Sequence, residues 1–172
     1  PQAERAWSSL RRLRELVRAG EAKRAKEDIN QVVREAADLV KTDENMAAAQ
    51  YVYNLADDLP HAMMNRVQIQ QVVLNLVRNA AEAMADAASP EVSIRASQED
   101  GAILLSDTGP GLPDKISDNL FKPFAYSTKK SGAGLGLAIA RELARSMGGD
   151  VTLDTSGPGG TTFRITLPPA HT

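Results

Sequence analysis

No cysteine occurs in the 172 residues. Disulfides and thiolate metal sites are therefore excluded, and the reducing cytoplasm is the expected compartment. Aromatic residues make up only 4% of a chain that is 42% hydrophobic, so a core here must be built from Ala, Leu, Val and Ile. Histidine occurs twice, as His61 and His171. No apolar run approaches the ~18 residues needed to span a bilayer. The opening Pro-Gln-Ala-Glu-Arg lacks the apolar stretch of a secretory signal, so any membrane anchor of a full-length protein is expected outside this sequence.

The net charge of −2 conceals an asymmetry: residues 1–26 carry +5 and the remainder −7. The basic stretch is laced with Glu4, Glu15 and Glu21 and has no interleaved aromatics for stacking bases. It reads as a solvated helix face, not a nucleic-acid surface.

Periodicity divides the chain into an appendage (1–26), one main domain (27–169) and a short tail (170–172). Trp7, Leu10, Leu13 and Val17 recur at helical spacing up to Gly20. Ile29, Val32, Val33, Ala36, Leu39 and Val40 mark a second amphipathic helix. Tyr51–Leu55 reads as a strand, and Val67–Met84 as the strongest helix. Glu91–Ser97 and Ala102–Ser106 form an expected hairpin about Asp100-Gly101. Residues 107–131 lack periodicity, and a loop that long is usually functional. Leu135–Met147 is an expected helix stopped by Gly148-Gly149. Val151–Thr155 and Thr162–Leu167 close the domain around a turn at Ser156–Gly160. This pattern predicts a two-layer α/β sandwich with a mixed sheet and helices on one face.

Three places carry chemistry. Gln71, Asn75, Asn79 and Glu82 fall on one side of the long helix. An amide can give its oxygen to a hard cation and its NH2 to a phosphate oxygen, although a solvent-facing amide stripe would look the same. Asp107-Thr108-Gly109-Pro110-Gly111 follows a strand. Its carboxylate suits an exocyclic amine and its glycines admit a flat ring; the same residues also make an ordinary turn. Gly132-Ala133-Gly134-Leu135-Gly136-Leu137 opens a helix, where free N–H groups and the helix dipole favour phosphate.

In this order the segments resemble the catalytic domain of sensor histidine kinases. Leu74–Ala83 resembles their N box, Asp107–Gly111 and Gly132–Leu137 their two glycine boxes, and Phe121–Phe124 their F box. Gly159–Leu167 matches their terminal Gly-x-Thr-x-Phe pattern. The resemblance runs from about Ile29 to Pro168, and is nearest to the oxygen-sensor-like kinases around Arg66–Met84 and in Phe121–Lys130. It implies the GHKL, or Bergerat, fold, with ATP and Mg2+ as ligands. By resemblance, Asn79 binds Mg2+, Asn75 supports the phosphates, Asp107 reads the adenine amine, and Gly109 and Gly111 make room for the ring. Thr161 assists through water. Gly134 and Gly136 pass their backbone to the phosphates, with Gly132, Leu135 and Leu137 in the same nucleotide-binding stretch. Lys129 is a candidate phosphate partner, although a solvated loop lysine would look the same, and Phe121 and Phe124 pin the intervening chain by burying their rings.

Related ATPases, such as gyrases, mismatch-repair proteins and heat-shock chaperones, carry a water-activating Glu where this chain has Asn75. An amide has no proton affinity near neutral pH, so phosphotransfer is the expected chemistry; a non-transferring scaffold and an ATPase are the alternatives. Two departures stand out: Glu82 where many such kinases have a basic residue, and Asn65 where Asp is common. The family's acceptor histidine sits on the first helix of a dimerising hairpin, and residues 1–26 resemble the second. The resemblance thus implies an upstream acceptor helix, a homodimeric full-length protein and a response-regulator receiver domain as partner.

Overall fold

The computed structural model describes residues 4, 8, 11, 12, 15, 18, 23–44, 48–97, 102–113, 119–122 and 136–168. Glu4, Ser8, Arg11, Arg12, Glu15 and Arg18 are helical and exposed, at the three-to-four spacing of one helix face. Trp7, Leu10, Leu13 and Val17, predicted to line the other face, lie outside the described residues, as does the tail at 170–172.

The chain then runs β1 (Ala25–Glu27), α1 (Ile29–Lys41), β2 (Gln50–Leu55), β3 (Ala62–Met64), α2 (Arg66–Ala83), β4 (Glu91–Ser97) and β5 (Ala102–Asp107). It closes with α3 (Gly136–Ser146), β6 (Asp150–Gly157) and β7 (Gly160–Thr166). Five strands form one sheet in the order β2-β4-β5-β7-β6; β2 and β4 are parallel and the other pairs antiparallel. The mixed sheet and both expected hairpins are present.

Side-chain alternation makes the two layers. Val92, Ile94 and Ala96 on β4, Ile103 and Leu105 on β5, and Phe163 and Ile165 on β7 are all at most 2% exposed. They pack in one core with Val32, Val33, Ala36 and Val40 of α1, Ile69, Val72, Val73 and Leu76 of α2, and Ala140, Leu143 and Ala144 of α3. Phe163 is the only aromatic among the largest fully buried side chains of the described residues, as the composition predicts.

Helix ends follow local chemistry. Asp28 caps α1 by accepting from the Asn30 N–H at 2.9 Å, and Asn65 caps α2 by accepting from the Gln68 N–H at 3.0 Å. Past α3, Gly149 N–H donates to Ala144 O at 2.9 Å and Gly148 N–H to Arg145 O at 3.0 Å. Gly148 takes φ +85°, the left-handed turn that ends a helix in this way.

Three features differ from expectation. Asp107 is the last residue of β5, paired with Val92, and not the first residue beyond it. The β6–β7 ladder continues to Gly157↔Gly160, which shrinks the turn from Ser156–Gly160 to Pro158-Gly159. β1 and β3, unforeseen, pair antiparallel. Arg66 fastens this corner, with bonds to Glu27 at 2.8 Å and Glu35 at 2.9 Å.

Candidate functional site

The site forms where the C-terminal half of α2 meets the end of β5 and the β6–β7 hairpin. Six buried apolar side chains, Ile69, Val72, Val73, Leu76, Val77 and Ala80, fix α2 in the core, and Asn75 and Asn79 lie one turn apart on the same helix. Asn75 is 7% exposed. Its Oδ1 accepts from Gln71 Nε2 at 3.1 Å, while its buried Nδ2 has no partner among the described residues. An unsatisfied buried donor of this kind costs about 1–3 kcal/mol. Asn79, one turn further on, is half-buried.

Asp107 forms the floor. It is 8% exposed, and two N–H groups converge on its Oδ1, from Gly109 at 2.8 Å and Thr161 at 3.3 Å. Burial pushes its carboxyl above the usual aspartate range, with the Gly109 and Thr161 bonds pulling the other way. Gly109 packs against the end of α2: a Cβ there would lie 3.3 Å from Met84 Cγ and 3.8 Å from Ala83. Asn79 lies four residues before Ala83, roughly 6 Å along the helix axis. The floor and the amides therefore share one end of the molecule.

The next turn is stitched to the hairpin. Gly111 has φ +86°, and a side chain there would strike the Gly157 carbonyl. Leu112 N–H donates to Ser156 Oγ at 2.8 Å, and Ser156 Oγ lies 3.0 Å from Thr161 Oγ1. Gly160, at φ +137°, brings its backbone against the Asp107 carbonyl, where a Cβ would collide. Sequence reasoning missed Gly160, Ser156 and Met84. The Gly159-Gly160 pair was the available signal, since two adjacent glycines exceed what a hairpin turn needs.

Gly136 is the exposed first residue of α3, with open space about its Cα, and Leu137 is 5% exposed and packs in the core. Lys129, Gly132, Gly134, Leu135 and Phe124 lie outside the described residues. Phe121 meets Phe163 edge to face, with ring centroids 6.1 Å apart at 80°. The Arg141 guanidinium lies 4.6 Å from the Phe121 centroid. Glu82 lines a cavity of about 500 Å3 with Arg78, Asp43 and Met84; neither Asn75 nor Asn79 lines it.

Among the described residues, no three His, Asp or Glu side chains cluster to hold a metal. A hard cation here would draw on an amide oxygen, phosphate oxygens and water, as Mg2+ commonly does. His61 is exposed on the rim of a cavity of about 440 Å3 that includes Ile103. Ile103 and Asp107 are four residues apart on one strand, about 14 Å, so His61 stands at the far end of β5. His171 lies outside the described residues. No helix among the described residues is long and apolar enough to cross a membrane.

Residues 64–171 match the family described as histidine kinase-, DNA gyrase B-, and HSP90-like ATPase. The chain is 37% identical over 172 residues to the sensor protein FixL of Bradyrhizobium diazoefficiens, covering 98% of this chain and 34% of that protein. The chain thus spans about a third of that relative's length. Among solved structures, the mycobacterial sensor histidine kinase MprB superposes with a TM-score of 0.70 at 23% identity, covering 86% of this chain and all of that one. Full-length ShkA in complex with AMPPNP gives 0.65 at 25% identity, over 87% of this chain and 32% of that one.

Proposed function

The chain belongs to the histidine kinase-, DNA gyrase B- and HSP90-like ATPase family, and we propose that it is the ATP-binding catalytic module of a sensor histidine kinase. In this reading it transfers the γ-phosphate of ATP to a histidine on an upstream helix of a homodimeric protein, for onward passage to a response-regulator receiver domain.

The single observation that carries the reading is the buried amide of Asn75. Its unpartnered Nδ2 suits a phosphate oxygen, and an amide cannot take a proton from water at neutral pH. The γ-phosphate is therefore kept for an imidazole nucleophile. Asp107, with Oδ1 already engaged by two N–H groups, offers Oδ2 to the adenine amine. The glycines do not leave open space as expected: the bare backbone at Gly109 lets Met84 close in, and that at Gly111 lets the Gly157 carbonyl close in. They shape the wall of the adenine site, and Thr161 reaches the ring through water. Gly136 and Leu137, with Lys129, Gly132, Gly134 and Leu135, give the phosphates N–H groups and one cation. Asn79 Oδ1 would hold Mg2+, which when bound neutralises phosphate charge. The acceptor imidazole must come within roughly 3–3.5 Å of the γ-phosphate, and His61, at the far end of β5, does not meet that need.

The test pairs binding with transfer. Asn79→Ala should weaken Mg·ATP by about tenfold or more, or ≥1.4 kcal/mol, and leave adenosine nearly unchanged. With labelled ATP, an added hairpin bearing the acceptor histidine should gain acid-labile phosphate while this chain alone gains none. Rapid phosphate release without an acceptor would favour the hydrolase reading instead.

A further inference from the structure

Arg141 stands outside every motif that the sequence singles out, yet it touches two of the structures that frame the site. It lies on α3, five residues after Gly136. Its guanidinium carbon lies over the Phe121 ring, 4.6 Å from the centroid, and its Nε donates to Asp150 Oδ1 at 3.1 Å. Phe121 in turn sets its edge on Phe163, a fully buried side chain of β7 two residues past Thr161. A planar guanidinium can stack on a ring and bond a carboxylate through its edge at the same time, which an ammonium cannot do.

These contacts have a consequence for the triphosphate end of the site. Phe121 and Arg141 are 20 positions apart in sequence, and the chain between them carries Lys129, Gly132 and Gly134. The Arg141–Phe121 contact joins α3 to Phe121, one at either end of that stretch. Asp150 Oδ1 also accepts from Arg145 Nε at 3.1 Å, so the two arginines together fix the rotation of α3 against β6 and Arg141 alone joins that anchor to Phe121. Phe163 fixes Phe121 against the strand whose Thr161 supports Asp107.

We propose that Arg141 is a positioning residue for phosphotransfer: by gripping Phe121 and Asp150 together it sets the first turn of α3 against the nucleotide's phosphates. It touches no nucleotide itself. This rests on the reading of the chain as an ATP-binding module, and the adenine end of the site does not depend on it.

Calorimetric titration of the full chain with Mg·ATP and with adenosine separates these roles. Arg141→Gln keeps much of the stem and removes the cation; it should weaken Mg·ATP about three- to tenfold and leave adenosine unchanged, with Tm close to wild type. Arg141→Lys, able to serve the ring or Asp150 but not both, should fall between. Phe121→Leu should reproduce the Mg·ATP loss, and the double variant should lose no more than either single one, because both break the same contact. Parallel losses of Mg·ATP, adenosine and Tm would reduce Arg141 to a packing residue and overturn the proposal, as would unchanged Mg·ATP affinity in Arg141→Gln. If the wild-type chain binds adenosine but not Mg·ATP, or binds neither, the functional reading fails before this one is reached.

Discussion

Burial raises the Asp107 carboxyl above the ordinary aspartate range, and the N–H groups of Gly109 and Thr161 restore only part of the loss. The sign follows from linkage. A carboxyl whose folded value is raised binds its proton more tightly in the native state, so its stabilising contribution is full below the unfolded value near 3.8 and is lost as pH rises through the folded value. At neutral pH the wild type therefore holds a charge that costs it stability. Asp107→Asn keeps an Oδ1 for both N–H groups and removes the charge. It should raise Tm at pH 7 by about 2–4 °C if ~1 kcal/mol is recovered, flatten that part of the pH dependence, and lose preference for ATP over GTP. Melting curves from pH 3 to pH 8 with nucleotide competition check this; equal pH slopes in both proteins would rule it out. The opposed signs have one cause, since a carboxylate placed for a ligand is badly placed without it.

Among the elements, the cap of α2 explains why one departure from the family pattern is harmless. Asn65 bonds the Gln68 N–H through its side-chain oxygen, a task Asp performs equally well. Asn65→Asp should leave the urea midpoint nearly unchanged, whereas Asn65→Ala should cost about 1 kcal/mol; comparable losses in both would deny the side chain its capping role. Such devices are legible in sequence because they are local. The 3.6-residue repeat of α2 and the alternation of β4 gave their bounds to within a residue. β1 and β3 were not legible: Ala-Lys-Glu and Ala-Met-Met show no alternation, and their pairing joins residues 35 or more apart. The β6–β7 turn was overdrawn because Ser156 and Gly157 look like turn residues, while Ser156 spends its hydroxyl on Leu112 and Thr161.

Across the whole molecule the same division separates what the sequence disclosed of the site from what it withheld. The placement of Asn75 and Asn79 one turn apart on α2, and of Asp107 and Gly109 at the end of β5, was readable because each pair is local in sequence. Gly160 and Arg141 were not, since each matters through a partner distant in the chain: the Asp107 carbonyl for one, Phe121 and Asp150 for the other. Distance along the chain also governs assembly in time. β6 and β7 are separated by two residues, but the parallel partners β2 and β4 are separated by 35. Closing the longer loop costs about 2.5 kcal/mol more by the logarithmic law, so the hairpins should protect their amides before β2 does. Pulse-labelled hydrogen exchange during refolding reads that order, and early protection of Tyr51 and Tyr53 would contradict it. On a ribosome the interval lengthens. β2 leaves first and waits unpaired, Val52 outward, until Glu91–Ser97 has been made. Through that interval the nascent chain presents a bare β-edge, and this is where a holding chaperone would find it.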